Sequence, residues 1–111
     1  MYQPNHNTDV TIETHIKSKG RHILFLSADW CGDCRAIKPF VQNIKDTITK
    51  TASWIDADRD ENIAVATNHN LRGIPSFVLF QDGEELSRIG HGERLTPNQA
   101  VSYTHLTLPT N

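Results

Sequence analysis

The chain has no long hydrophobic run. Its uninterrupted apolar stretches, such as residues 23–26, are the size of a β-strand, whereas a membrane-spanning helix needs about 20 apolar residues. The sequence therefore predicts no membrane-spanning segment. A formal net charge of −2 at pH 7 also gives no reason to expect affinity for nucleic acid or for an anionic membrane surface.

Cysteine is scarce. The chain has 2 cysteines, and both lie in one Cys31-Gly32-Asp33-Cys34 unit. A disulfide-stapled secreted scaffold spreads several cysteines along its chain, so that class is excluded. The first residues also lack the positively charged and apolar regions of a secretory signal. We therefore expect a cytoplasmic protein whose cysteine pair carries redox chemistry or binds a metal.

The length of 111 residues supports one domain. Apolar periodicity, capping residues and turn residues predict an α/β chain. The predicted helices lie at residues 8–18, from the cysteine motif to about 48, at 60–70 and from 96 onward, and the predicted strands at 22–28, 52–58, 77–80 and 86–89. Residues 1–8 are polar, and we expect them to be frayed.

The clearest helical pattern follows the cysteines. Its apolar stripe comprises Ile37, Phe40, Val41, Ile44 and Ile48. Pro39 lies inside the stripe and predicts a kink rather than a break. Cys31 would then stand at a helix N-terminus, where free amide groups and the helix dipole stabilise a thiolate. Cys34 lies one turn further on, where its thiol can attack a mixed disulfide formed by Cys31.

The sequence resembles the thioredoxin family. The residues that carry the resemblance are Trp30-Cys31-Gly32-Asp33-Cys34, Pro39, Arg72-Gly73-Ile74-Pro75-Ser76, Phe77-Val78-Leu79-Phe80, Asp82-Gly83 and Gly90. The resemblance implies a thioredoxin fold over about residues 8–100, in which a central mixed sheet is flanked by helices. It also implies a thiol–disulfide oxidoreductase that reduces protein disulfides, with Cys31 as the attacking thiol and Cys34 as the resolving thiol.

The resemblance also implies a substrate site and partners. The proline matching Pro75 is cis in the family and lies against the cysteine pair, and Ile74 before it pairs main chain to main chain with the substrate. Trp30 would be an apolar docking surface beside the pair, and Gly32 completes the substrate-binding set. The expected partners are disulfide-containing proteins and a thioredoxin-reductase-like electron donor. We expect a monomer that needs no bound cofactor.

Asp33 departs from the commonest family motif, which has proline there. Its carboxylate would disfavour the neighbouring Cys31 thiolate by about 0.7–1.4 kcal/mol, taking a separation of about 6 Å and an effective dielectric of 40–80. Because this destabilises the reduced form, we expect a more reducing protein. The competing interpretation is that Asp33 only caps the helix.

A second departure concerns the space beneath the motif. Many thioredoxins carry a buried acid six residues before the first cysteine, and here that position is Phe25. The lysine often found near that acid aligns with Trp54. No base is then close to Cys34 in sequence, so water or Asp33 would have to accept its proton.

Two alternatives stay open beside the enzyme. A structural zinc site needs four ligands, and the scattered histidines supply no second pair at suitable spacing, so metal binding would be weak. A redox-silent adaptor with the same fold would bind a partner without turnover. The acidic residues Asp56, Asp58, Asp60 and Glu61 lack the spacing of a calcium loop. They are interpreted as a strand end that runs into the charged start of a helix.

The end of the chain loses its regular pattern. Thr96-Pro97 is a good helix start, but residues 101–111 show no apolar periodicity and contain Pro109. We expect residues 101–111 to be a non-native tail that truncates or replaces the C-terminal helix.

Overall fold

The computed structural model describes residues 2–90. Within this range the helices and strands follow in the predicted order. They are α1 Asp9–Lys17, β1 Arg21–Ser27, α2 Gly32–Ile48, β2 Ser53–Asp58, α3 Ile63–Asn68, β3 Ser76–Gln81 and β4 Glu84–Ile89. The helix predicted from Thr96 and the tail at residues 101–111 lie outside the described residues.

The strands form one mixed sheet in the order β2-β1-β3-β4. β1 pairs in parallel with β2 and antiparallel with β3, and β4 pairs antiparallel with β3. The prediction of an α/β chain with a central mixed sheet flanked by helices is confirmed. β1 is an inner strand, so the chain that leaves it emerges from the middle of the sheet.

Both faces of β1 are buried, which explains its continuous apolar run. Ile23 and Phe25 pack on the side of the sheet covered by α2. Leu24 and Leu26 pack on the opposite side, against residues from α1 and α3. Since successive side chains of a strand point to opposite faces, a strand covered on both sides has apolar residues at consecutive positions.

α2 is a single helix with Pro39 inside it. Ile37, Val41, Ile44 and Ile48 are buried on its inner face, as predicted. Phe40 is 45% exposed, so its assignment to the buried stripe was wrong. It lies one residue, or about 100° of rotation, from Val41 and falls at the solvent edge of the face.

α3 begins later than predicted. The expected helix at residues 60–70 is limited to Ile63–Asn68. Asp60 and Glu61 lie in the preceding turn, where both backbone N–H groups donate to Oδ1 of Asp58, at 2.8 and 3.1 Å. An Asp side chain that satisfies the backbone in this way stabilises a turn in place of a helix.

The N-terminal segment, residues 2–8, is not frayed, and that expectation was wrong. Tyr2 is 4% exposed and its hydroxyl donates to the carboxylate of Asp56, which is itself 2% exposed. The same carboxylate accepts from Asn5 N at 2.9 Å and from Trp54 Nε1 at 2.7 Å. The Asn7 amide donates to the Asp56 carbonyl oxygen at 3.1 Å. A polar anchor on β2 therefore holds this segment against the sheet.

Gly90 closes the described part of the chain next to Pro75. Its φ is +94°, in the left-handed region. A Cβ at this position would lie 2.2 Å from the Pro75 carbonyl oxygen. Gly90 therefore allows the chain after β4 to approach the Pro75 backbone closely.

Gly90→Ala should lower the free energy of unfolding by about 3 kcal/mol or more, because strain at positive φ adds to a backbone collision. Gly20→Ala is the matched control, since Gly20 has φ +101° but no atom within 4 Å of its Cβ position. That variant should lose about 1 kcal/mol. Urea denaturation measures both losses, and equal losses would contradict the collision.

Candidate active site

Cys31 lies where the connection from β1 enters α2. It is the N-cap residue, and its Sγ accepts a hydrogen bond from Cys34 N at 3.2 Å. Its own backbone N–H donates to the Ala28 carbonyl at 3.3 Å. Free amide groups and the helix dipole favour negative charge at this position. The local sequence therefore places the Cys31 sulfur at the N-terminus of α2.

Cys34 is the inner member of the pair. Both cysteines are free thiols, and Cys34 is 7% exposed. Burial, followed by the hydrogen bond with Cys31, raises the pKa of the Cys34 thiol to about 12, and a backbone hydrogen bond from Ala28 opposes the rise. At neutral pH Cys34 therefore carries its proton, as a thiol that acts second in an exchange would.

The loop before β3 forms the other wall of the site. The Ile74–Pro75 peptide bond is cis, as the resemblance implied. The Cys31 thiol lies 3.8 Å from the Ile74 carbonyl oxygen, to which it donates. Ile74 also packs against the small cluster formed by Ala28, Cys31 and Cys34. Two segments far apart in sequence therefore meet at the cysteine pair.

Trp30 and Gly32 lie on the outer side of the site. Trp30 is 61% exposed, and its indole Nε1 donates to Oδ2 of Asp60 at 2.7 Å. This hydrogen bond holds a large apolar ring at the surface next to Cys31. No atom lies within 4 Å of the Cβ position of Gly32, so its outer side is open.

Asp33 lies in the first turn of α2. Its carboxylate is one of the groups that raise the pKa of Cys34, as a cause smaller than burial and the Cys31 hydrogen bond. A carboxylate in the first turn of a helix interacts favourably with the helix dipole. The position is thus compatible both with an effect on the cysteines and with capping.

Aromatic residues fill the place beneath the motif where the family often has an acid and a lysine. Phe25 is 2% exposed and stacks on Phe77, with ring centroids 4.7 Å apart. The rings of Phe25 and Trp54 lie 5.4 Å apart. The buried carboxylate in this region is Asp56, the register partner of Phe25 on β2.

Sequence reasoning missed Asp56, because it was grouped with the acidic residues at the end of the strand. The available signal was the alternation along β2, which puts Asp56 on the same face as Trp54.

A cavity of about 410 Å³ lies beside Cys34. It is bounded by the N-terminal segment, the end of β1 and the first turns of α2, and Cys34 contributes to its wall. Its charged lining residues are Asp29, Arg35 and Lys38. Cys31, Trp30 and Ile74 do not line it, so the two cysteines face different surroundings.

The described residues offer little support for a metal site. Within residues 2–90 no three or more His, Cys, Asp and Glu side chains come together as a set that could hold a metal ion. In the same range no helix has both the length and the apolar character needed to cross a membrane.

Comparison with known proteins gives the family. The thioredoxin family model matches residues 3–100. The chain belongs to the thioredoxin family. A putative thioredoxin-5 of Dictyostelium discoideum is 30% identical over 104 residues, which are 91% of this chain and 96% of that protein. Thioredoxin 1 of Synechococcus elongatus is 29% identical over 83 residues, 74% and 78% of the two chains.

A solved structure shows the same thioredoxin fold. The thioredoxin of Malassezia sympodialis (Mala s 13) superposes with a TM-score of 0.77 at 20% identity, over 91% of this chain and 88% of that one. The family and the adjacent Cys31 and Cys34 support thiol–disulfide oxidoreductase as the general activity of this thioredoxin-family protein.

The two thiols should differ sharply towards iodoacetamide. Since the pKa of Cys34 is raised to about 12, roughly one Cys34 in ten thousand is ionised at pH 8, and the thiolate is the reacting form. We expect Cys31 to be labelled first and Cys34 only slowly, as measured by peptide mass spectrometry. In 6 M urea, where burial is lost, the two should react alike. Equal labelling of the folded protein would contradict the assigned roles.

Proposed function

We propose that this thioredoxin-family protein reduces disulfide bonds in other proteins, with Cys31 as the attacking thiol and Cys34 as the resolving thiol. The observation that carries the proposal is the asymmetry of the pair. Both cysteines are buried, but Cys31 caps α2 and lies beside the Ile74 carbonyl, whereas Cys34 lies inside α2 and holds its proton. Attack and resolution need two thiols of these different kinds.

The proposed cycle transfers two electrons from the dithiol to the substrate. The Cys31 thiolate attacks one sulfur of a substrate disulfide, a bond between the two forms, and the other substrate sulfur leaves as a thiolate. Cys34 then attacks the Cys31 sulfur, loses its proton and releases the second substrate thiolate. The disulfide between Cys31 and Cys34 that remains is reduced by the dithiol of a thioredoxin-reductase-like donor.

The substrate would bind on the outer side of the pair. Trp30 offers an exposed apolar ring, and the open side of Gly32 leaves room for a peptide. The Ile74 carbonyl lies beside the Cys31 sulfur, which supports main-chain pairing of Ile74 with an extended substrate next to Pro75. We also propose that the protein works as a monomer in the cytoplasm, where reductants keep the thiols free.

Reduction of insulin in the presence of dithiothreitol tests the activity. The wild type should turn over and show a reversible disulfide with a potential near about −270 mV or lower. Cys31→Ser should be inactive, and Cys34→Ser should accumulate a mixed disulfide, since nothing resolves it. A folded protein with no reversible disulfide would instead favour the adaptor or a metal-binding role. A potential near about −150 mV would indicate an oxidase or isomerase.

The effect of Asp33 is testable through the potential. Asp33→Pro and Asp33→Asn both remove the repulsion of the Cys31 thiolate, so the reduced form gains stability. We expect the potential to rise by about 15–30 mV, the equivalent of 0.7–1.4 kcal/mol for two electrons. Glu84→Gln, on the exposed β3–β4 hairpin, removes the same charge away from the site and should leave the potential unchanged. An unchanged potential in the Asp33 variants would leave helix capping as the role of Asp33.

A further inference from the structure

The resolving step raises the question of where the Cys34 proton goes. Cys34 is 7% exposed and its pKa is raised to about 12. Its sulfur must nevertheless become a nucleophile near neutral pH. A proton acceptor within reach, directly or through one water, would lower the barrier to this step.

Few of the groups around Cys34 can accept its proton. The titratable and charged residues that face it or share its cavity are Tyr2, Asp29, Cys31, Asp33, Arg35 and Lys38. Arg35 and Lys38 are cations and accept no proton. Burial, and then the hydrogen bond to Asp56, raise the pKa of Tyr2 above its usual range, so Tyr2 stays protonated. Cys31 is already bonded to the substrate at this stage.

Asp56 is not available to Cys34. Its two carboxylate oxygens accept from the Tyr2 hydroxyl, Trp54 Nε1 and Asn5 N. It does not line the cavity in which Cys34 lies. The buried carboxylate of this protein therefore holds the N-terminal segment and is separated from the reacting sulfurs.

Asp29 is the one carboxylate in the wall of the cavity within residues 2–90. It follows Ala28, whose backbone hydrogen-bonds to Cys34. Ala28 and Asp29 both line the cavity. The cavity volume of about 410 Å³ exceeds what a water molecule requires. Asp33, by contrast, lies outside the cavity lining.

We propose that Asp29 accepts the Cys34 proton through water in this cavity during the resolving step; the inference rests on the proposed disulfide reduction. As the Cys34 sulfur bonds to the Cys31 sulfur, the bond from Cys31 to the substrate breaks. Its electron pair leaves on the substrate sulfur. The Cys34 proton passes to a water and from there a proton passes to the Asp29 carboxylate, which returns it to solvent.

Stopped-flow reaction of the reduced protein with 5,5′-dithiobis(2-nitrobenzoate) separates the two steps. Attack by Cys31 releases one coloured thiolate, and resolution by Cys34 releases the second. Asp29→Asn should slow the second release about tenfold or more and leave the first unchanged or faster. Loss of a negative charge alone would favour the Cys34 thiolate and speed the second release, so a slower one cannot come from charge removal.

Control variants define the role of Asp29. Asp33→Asn removes the carboxylate next to Cys34 in sequence, which does not line the cavity, and its second release should not slow. Asp29→Glu should restore most of the rate, and added acetate should accelerate Asp29→Asn by supplying a carboxylate. Asp29 is exposed, and Asp29→Ser gives an independent test with a different side chain.

The pH profile supplies a readout that a structural role would not change. Without the acceptor, the second release depends on preformed Cys34 thiolate and should rise about tenfold per pH unit between pH 6 and 9. The wild type should show a shallower rise. A second release in Asp29→Asn with the wild-type rate and pH dependence would overturn the proposal, as would equal slowing of both releases. Absence of a second release in the wild type would overturn the proposed function itself.

Discussion

Burial of β1 on both faces is the constraint on which the rest of the structure depends. Ile23 and Phe25 are enclosed on the α2 side, and Leu24 and Leu26 on the side of α1 and α3. A strand enclosed in this way cannot shift by one residue without moving its whole set of side chains to the wrong face. Its end is therefore fixed, and Cys31 follows within a few residues at the N-terminus of α2. Packing of apolar side chains thus sets the position of the Cys31 sulfur.

The N-terminal segment connects this core to the site through a polar anchor. A carboxylate is buried at low cost only where hydrogen bonds replace its water, and Asp56 receives them from Tyr2, Trp54 and Asn5. Because two of these donors, Tyr2 and Asn5, lie in the N-terminal segment, the anchor fixes residues 2–8 relative to β2. Tyr2 then forms part of the cavity wall beside Cys34. An interaction on β2 thereby shapes the surroundings of the Cys34 thiol.

Periodic patterns in the sequence predicted the helices and strands. Several of the features that these patterns missed depend on contacts between residues far apart in sequence. The apolar run of β1 and the stripe of α2 depend on local spacing, so the sequence was sufficient to predict this strand, this helix and the cysteine motif between them. The N-terminal segment looked frayed because its order comes from Asp56, a residue far along the chain. The start of α3 was misplaced because the Asp58 side chain competes for the backbone N–H groups that a helix would use. The cavity could not be predicted, since three separate segments form it.

In the proposed reduction the sulfurs of Cys31 and Cys34 need different surroundings, and the fold provides them. Under the proposed function, Cys31 meets the substrate disulfide at the surface where Trp30 is exposed. In the proposed cycle, Cys34 keeps its proton until the mixed disulfide forms and then loses it. If both sulfurs opened onto the substrate face, a docked protein would cover the path by which the proton leaves. The cavity reaches Cys34 from the side of the N-terminal segment, so under the proposed mechanism the path of the proton stays open while a substrate is bound.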